Sequence, residues 1–354
     1  MEELTTKDLE NMKNHKYKST GYTTLDNWMN PFWYKCASFV PYKISPNMVT
    51  VSGLFCQFLS IIIIASYDLT FSEQLPVFVY IFSAFMIFMA QTLDAIDGKH
   101  ARATNRTSPL GQLMDHGCDS MDNFLFCIVL SQAFLFGNSI HALSLQILIQ
   151  IPFYTCSLEE HITGVIRTQI NNMGVTEYQF FAMGLLITVG IFGNSFINFE
   201  IAGYKFSLIC LYIILFIAIS YCIGLIFINV KSLSEAFNKF KPMAIIISLA
   251  CTELFSCNLY FYKEKPLLII VLNGLYYSIL TCKLIISNMA KTKIVILDRD
   301  LIIYIIGIFT CVIIGIPKVE FYILIGLFIW FLYSFYKQII NSIFKILDYL
   351  KISF

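Results

Sequence analysis

The sequence predicts an all-α, polytopic integral membrane protein, and three observations support this fold class. Of the 354 residues, 57% are hydrophobic and only 13% are charged, which is about half the charged fraction of a soluble domain. The hydrophobic residues fall in runs long enough to cross a bilayer as helices, which rise about 1.5 Å per residue. At a net charge of +1 no basic domain for nucleic acid is expected. The composition therefore excludes a water-soluble fold.

Residues 1–45 form the first of two predicted regions, a cytoplasmic N-terminal segment. Residues 1–24 are polar and lack the apolar stretch of a secretory signal. Trp28, Trp33 and Tyr34 follow, beside Lys35, just before the first apolar run. Because such rings favour the headgroup region of a bilayer, we predict an interfacial amphipathic helix here, with a mobile arm as the alternative.

Residues 46–354 form the second predicted region, one transmembrane domain with a core at 46–200 and C-terminal helices at 201–354. We predict about ten transmembrane helices, at residues 48–66, 77–93, 119–136, 141–157, 178–196, 206–230, 243–262, 267–286, 301–316 and 321–340. Residues 297–300 (Leu-Asp-Arg-Asp), before the ninth span, are expected to form a solvated loop.

Positive charges predict how these spans are oriented. With the N-terminus in the cytoplasm, 19 Lys and Arg residues lie on the cytoplasmic side, four lie on the opposite side, and Lys283 lies within a span. Because cytoplasmic loops carry an excess of these residues, both termini are predicted to face the cytoplasm.

Four aspartates lie where the second span ends and the third begins. Asp94 and Asp97 are three residues apart, and Asp115 and Asp119 are four apart, so each pair projects from one face of its helix. Their charges would repel one another and resist desolvation unless a cation lay between them. All-oxygen ligands favour a hard divalent ion, Mg²⁺ or Mn²⁺, and four carboxylates are enough for two ions.

Small residues and one arginine alternate with these acids. Gly98, Ala101 and Gly111 would let a bulky ligand approach the backbone, and Arg102 is suited to bidentate contact with phosphate oxygens. A solvated turn with acids at its helix ends is the alternative, but it accounts for only one or two of the four aspartates.

These residues form a 26-residue pattern that resembles, without gap or substitution, the signature of the CDP-alcohol phosphatidyltransferases. The pattern reads Asp94-x-x-Asp97-Gly98-x-x-Ala101-Arg102, eight residues, then Gly111-x-x-x-Asp115-x-x-x-Asp119. Within this family the chain most closely resembles the choline/ethanolamine phosphotransferase branch. The similarity lies at residues 46–50, 108–111, 115–120 and 175–179.

The resemblance implies a metal-dependent transfer of phosphocholine or phosphoethanolamine. A diacylglycerol hydroxyl would attack the β-phosphorus of CDP-choline or CDP-ethanolamine, releasing CMP and forming phosphatidylcholine or phosphatidylethanolamine. It further implies an endoplasmic reticulum membrane, with a site at the cytoplasmic leaflet that the nucleotide enters from water and the lipid from the bilayer.

The resemblance also assigns roles to individual residues. The four aspartates would bind Mg²⁺ or Mn²⁺, two ions in all, and Asp94 would also orient the nucleotide. The CDP-alcohol site would be formed, together with Asp94, by Asn47, Gly98, Ala101, Arg102, Gly111 and Gln112.

Two residues are candidates for the catalytic base. Asp119 is the usual candidate in the family, but a metal-bound carboxylate is a weak base. His116 lies three residues earlier on nearly the same helix face, and histidine titrates near neutral pH. We therefore favour His116, with Asp119 as second candidate and a purely structural role for His116 as the alternative.

The chain departs from its branch at two places. Gln112 stands where the branch usually has Glu, which leaves the headgroup preference open. Glu159, Glu160, His161 and Ile162 resemble a Glu-Glu-Tyr-His stretch, with His161 and Ile162 in the Tyr and His positions. The two acids are expected either to contact a quaternary ammonium or to be surface acids at a helix end.

Two other functions compete with this one. A relative with an inositol or glycerol phosphate acceptor would need a basic pocket and is usually shorter. A metal-ion transporter would carry its acids near the bilayer centre, in two related halves. The last six spans hold few ionisable residues, and suit a lipid access cavity or a homodimer interface.

Overall fold

The computed structural model describes residues 4–167, 169–170, 173–296 and 298–352 of the protein. Its α-helices are α1 Thr6–Lys13, α2 Thr24–Phe39, α3 Pro46–Tyr67, α4 Val77–Ala103, α5 Pro109–Phe134, α6 Ile140–Thr163, α7 Val175–Phe192, α8 Phe206–Ile228, α9 Leu233–Phe240, α10 Met243–Phe255, α11 Tyr260–Glu264, α12 Pro266–Ala290, α13 Arg299–Ile314, α14 Pro317–Phe335 and α15 Asn341–Leu350. Short 3₁₀ or π turns lie at Asn194–Phe196, Ser256–Asn258 and Tyr336–Ile340. Two antiparallel hairpins pair β1 Gln169–Ile170 with β2 Met173–Gly174, and β3 Glu200–Ile201 with β4 Tyr204–Lys205.

Capping residues fix where α3 and α5 begin. The hydroxyl of Ser45 accepts a hydrogen bond from the Met48 N–H at 3.2 Å, and Ser108 accepts one from Gly111 at 3.2 Å. Each cap is followed by proline at the first helical position, where its missing N–H has no cost. The sequence thus specifies locally the starts of two helices that carry predicted site residues.

The all-α polytopic fold class is confirmed, whereas the predicted count of ten spans is not. Among the described residues six helices are long and apolar enough to cross a membrane, or seven if the bent pair Ser234–Phe240 and Met243–Asn258 forms one span. The ten predicted segments all lie largely within helices. However, α13 has only 16 residues, and α5 and α6 contain many buried polar residues that make them less apolar.

Helix α12 is the central helix of the bundle. Its most apolar stretch is 94% buried inside the protein, compared with 11% for α8. A Cβ atom added to Gly274 would lie 2.1 Å from Cγ of Phe124 on α5, so only glycine permits this approach. This close contact holds α5, which carries Asp115 and Asp119, against the central helix α12.

The N-terminal segment is a packed part of the fold and not a mobile arm. Met12 on α1 is only 1% exposed, and the Asn11 side chain donates to the Ala290 carbonyl at the end of α12 at 2.9 Å. On α2, Met29 and Trp33 are buried while Trp28 is 73% exposed. The predicted helix at this position is confirmed, and its two faces differ as an interfacial helix requires.

The expectation of a solvated loop at 297–300 is wrong for Asp298 and Asp300, whereas Arg299 between them is 65% exposed; residue 297 lies outside the described part. Asp298 and Asp300 are buried, and both accept hydrogen bonds from the Lys283 ammonium, at 2.9 and 2.7 Å. Asp300 also accepts from Ser334 and Gln338. Because a buried carboxylate needs such partners, this network joins α12 to α13 and α14.

Lys283→Met is expected to lower the free energy of unfolding by about 3–5 kcal/mol, since it leaves buried carboxylates without their cation. The midpoint of thermal unfolding in detergent micelles measures this loss. The exposed Lys318 is the matched control, and Lys318→Met should change stability by less than about 0.5 kcal/mol. Equal midpoints for the two variants would contradict the prediction.

Candidate active site

Three of the four predicted aspartates meet between α4 and α5. One carboxylate oxygen from each of Asp94, Asp97 and Asp115 lies within 4.8 Å of the other two. Oxygens on opposite sides of one Mg²⁺ are about 4.2 Å apart, so small side-chain movements would close the group around an ion. The all-oxygen donor set and the mutual repulsion of the charges both fit a divalent cation.

Asp97 is the most enclosed of the three. It is 7% exposed, and the buried hydroxyl of Thr50 on α3 donates a hydrogen bond to its Oδ2 atom. Such a bond fixes the orientation of a metal-binding carboxylate. Thr50 was not predicted as a site residue, although it lies in the 46–50 stretch and three residues after Asn47, on the same helix face.

Asp119 lies outside this group of three, one helical turn further along α5. Its charge nonetheless interacts with those of Asp94 and Asp97, so its role as a metal ligand stays a prediction. Asp122 follows at a further helical step and also interacts with Asp94. Within the described part of the chain its Oδ1 atom has no hydrogen-bond partner. Sequence reasoning missed Asp122, although its spacing of three from Asp119 places both on one face.

The predicted CDP-alcohol residues lie around the acids. A Cβ atom on Gly98 would be 3.5 Å from Nη1 of Arg102, whose guanidinium is exposed. Asn47 and Ala101 are buried, and Gly111 lies at the start of α5. Gly98, Ala101 and Arg102 share α4 with two of the aspartates, which is compatible with the predicted phosphate contacts.

Gln112 is buried and held by two partners. Its Nε2 donates to Glu160 Oε1 at 2.7 Å, and its Oε1 faces His15 Nε2 at 2.8 Å. Burial lowers the pKa of His15, and the hydrogen bond to Gln112 opposes this shift. The side chain that replaces the usual Glu therefore bridges α5 to the N-terminal segment and to α6.

The alternative that Glu159 and Glu160 are exposed surface acids is wrong, because they are 0% and 1% exposed. Glu159 forms an ion pair with Arg167 at 2.9 Å and accepts from Asn229 at 2.8 Å. Glu160 accepts from the Gln112 amide at 2.7 Å and lies 3.9 Å from His15 Nε2, with the Asn288 side chain also beside it. Of the two, Glu160 is the acid without an arginine beside it.

His116 is buried next to the aspartates. It is 4% exposed, and its Nε2 atom lies 3.9 Å from Asp115 Oδ2. The position is close enough for proton exchange with a group bound at the acids after a small movement, and its role as base stays a prediction.

Lys99 joins the interfacial helix to the site. Its ammonium is buried and lies 5.9, 5.2 and 5.3 Å from the ring centres of Tyr22, Trp33 and Tyr34. These cation–π contacts fix α2 against α4, directly beside Asp97 and Gly98.

Comparisons with known proteins agree with this geometry. Residues 43–218 match the family model described as CDP-alcohol phosphatidyltransferase. The chain is 36% identical over 194 residues to an uncharacterized CDP-alcohol phosphatidyltransferase class-I family protein 3 of Dictyostelium discoideum, covering 54% of this chain and 48% of that protein. It is 31% identical over 207 residues to cholinephosphotransferase 1 of Gallus gallus, covering 58% of this chain and 60% of that protein.

A longer match has lower identity. An uncharacterized CDP-alcohol phosphatidyltransferase class-I family protein 1 of Dictyostelium discoideum is 28% identical over 356 residues, covering 94% of this chain and 91% of that protein. The matches to the first two relatives span about half to three fifths of their length.

Proposed function

The chain carries a CDP-alcohol phosphatidyltransferase domain at residues 43–218, and we propose that it transfers phosphocholine or phosphoethanolamine from the CDP-alcohol to diacylglycerol. In this reaction the diacylglycerol hydroxyl forms a bond to the β-phosphorus and the bond from that phosphorus to CMP breaks. The products are CMP and phosphatidylcholine or phosphatidylethanolamine.

The observation that carries the proposal is the convergence of Asp94, Asp97 and Asp115 within 4.8 Å. These residues would hold Mg²⁺ or Mn²⁺, and Asp119 would complete the ligands if two ions bind. A bound divalent ion supplies charge neutralisation at the pyrophosphate, where phosphoryl transfer needs it most.

The chain's own residues would bind the nucleotide and move the proton. The guanidinium of Arg102 would contact two phosphate oxygens at once, and Gly98, which has no side chain, leaves space next to that guanidinium. His116 accepts the proton of the diacylglycerol hydroxyl as that oxygen bonds to phosphorus, with Asp119 as the second candidate. Asn47 would lie on the cytidine side.

Two observations favour a cationic headgroup. Glu160 is buried, and its partners in the described part of the chain are neutral amides and His15; a buried carboxylate of this kind repels an anionic acceptor such as glycerol phosphate. The relatives named cholinephosphotransferase 1 also point to choline. Gln112 carries no charge, so it favours neither choline nor ethanolamine as the headgroup.

The proposed location is the endoplasmic reticulum membrane. Both termini and the aspartates would face the cytoplasm, as the excess of Lys and Arg on that side predicts. The comparisons give no support for a homodimer, and none is proposed.

Removal of divalent metal is expected to abolish the transfer. Membranes containing the protein would be assayed with diacylglycerol and either CDP-choline or CDP-ethanolamine, labelled in the headgroup. EDTA should lower product formation at least about a hundredfold, and excess Mg²⁺ or Mn²⁺ should restore it. The ratio of the two products gives the headgroup preference.

Membranes without the protein are the control for background synthesis. Full activity in EDTA would contradict the metal site. Product from neither CDP-alcohol, in protein that folds normally, would contradict the proposed reaction.

A further inference from the structure

No hydrogen bond to the His116 ring is found within the described part of the chain. Within the described part of the chain its Nδ1 atom is buried without a partner, and the Asp115 carboxylate, at 3.9 Å from Nε2, is beyond hydrogen-bond distance. A catalytic imidazole is usually held by a hydrogen bond on the nitrogen that does not react. Other contacts must therefore hold this ring.

Two aromatic rings pack against the His116 imidazole. The ring centre of Tyr17 lies 5.5 Å from that of His116, with planes at 74°. The ring centre of Phe153 on α6 lies 6.4 Å away, also at 74°. Both distances and angles are those of favourable edge-to-face pairs.

Tyr17 belongs to a stretch that is fixed on both sides. His15 is hydrogen-bonded to Gln112 at 2.8 Å. The Lys18 carbonyl accepts from the Ile166 N–H at 3.0 Å, and the Thr20 N–H donates to the Ile166 carbonyl at 3.1 Å. Residues 15–20, here called the N-terminal strap, thus cross from α5 to the segment after α6, and Tyr17 lies between the two anchors.

The strap also lies close to the acids. Burial, followed by the negative charge of Asp115, raises the pKa of the Tyr17 hydroxyl, and the Ser19 side chain opposes this rise. The tyrosine therefore has a partner for its hydroxyl within the strap, while its ring is free to contact His116.

We infer that Tyr17 is a positioning residue, and that the ring contact between Tyr17 and His116 holds the imidazole toward the aspartates. This inference rests on the proposed function, since it gives the N-terminal strap a part in the same reaction. The site is then incomplete without residues far outside the 26-residue pattern.

The test compares Tyr17→Leu with Tyr17→Phe. Tyr17→Leu should lower kcat about three- to tenfold, as expected for the loss of an edge-to-face pair, with an unchanged KM for the CDP-alcohol. Tyr17→Phe keeps the ring and should restore kcat to within about twofold of the wild type. In a His116→Ala background, Tyr17→Leu should lower kcat no further, because the proposed effect of Tyr17 acts only through the His116 ring.

Tyr67 is the matched control. It is 52% exposed, against 46% for Tyr17, and makes a similar edge-to-face contact with Phe78 at 5.9 Å, at the far end of α3 from the acids. Tyr67→Leu should leave kcat unchanged. Wild-type kcat in Tyr17→Leu, an equal loss in Tyr17→Phe, or additive losses with His116→Ala would each overturn the inference.

A second readout does not depend on the reaction. Diethyl pyrocarbonate modifies accessible imidazoles, and mass spectrometry gives the rate at His116. The rate should rise at least about threefold in Tyr17→Leu and stay unchanged in Tyr17→Phe and Tyr67→Leu. An unchanged rate in Tyr17→Leu refutes the contact itself, whereas an inactive wild type with the expected modification pattern refutes the proposed function alone.

Discussion

Asp97→Asn is expected to lower the rate of headgroup transfer by about a thousandfold or more, because it removes the most enclosed carboxylate of the three-aspartate group. Several kcal/mol of transition-state stabilisation depend on a bound metal, and about 4 kcal/mol corresponds to a thousandfold in rate. Asparagine keeps the volume of the side chain and an oxygen that can accept from Thr50. The measurement is the initial rate of phospholipid formation at saturating substrate.

Unfolding experiments separate loss of chemistry from loss of fold. Without metal, Asp97→Asn should be at least as stable as the wild type, since one of several repelling charges is gone. Mg²⁺ should raise the thermal midpoint of the wild type but not that of the variant. The exposed Asp348 provides the control, and Asp348→Asn should behave as wild type in both experiments. Normal turnover by Asp97→Asn would refute the metal site.

His116→Ala is expected to slow the transfer by about a hundredfold to ten-thousandfold, the usual contribution of a general base. The affinity for the CDP-alcohol should change by less than about threefold, because the proposed nucleotide contacts lie on α4 and at the starts of α3 and α5. Single-turnover rates together with nucleotide binding measure the two quantities.

His141→Ala is the matched histidine control. Like His116, His141 contacts a phenylalanine ring, at 5.9 Å from Phe136. It is less buried than His116 and lies at the opposite end of α6 from Glu160. An unchanged rate in His116→Ala would return the role of base to Asp119.

Local spacing was enough to predict most of the acid cluster. The 3.6-residue period places Asp94 and Asp97 on one face of α4, and Asp115 and Asp119 on one face of α5. The caps at Ser45 and Ser108 are likewise local signals. Features encoded within about one helical turn could therefore be predicted from the sequence.

Features that depend on distant partners could not. The Thr50 contact to Asp97 joins residues 47 apart, and the Tyr17 contact to His116 joins residues 99 apart in the chain. The burial of Glu159 and of Asp300 was also missed, because a charge at the end of an apolar run appears solvated until its partner is known. The sequence did not show that Arg167 pairs with Glu159. Lys283, predicted to lie within a span, already indicated that an acidic partner was needed, but not that this partner is Asp300.

The burial of α12 has a consequence for biosynthesis. Among the described helices that pack against α5, α12 is apolar enough to enter the bilayer and yet has 94% of its most apolar stretch buried inside the protein. A helix of this kind is expected to exchange contacts with lipid for contacts with other helices as the fold assembles. Phe124 on α5 can meet Gly274 only after 150 further residues have been translated (from 124 to 274). At ordinary rates of synthesis this delay is on the order of ten seconds. The aspartates of α5 are thus synthesised well before α12, the helix against which α5 packs. A nascent chain stalled before α12 would leave these aspartates exposed to the membrane-insertion machinery and to quality control.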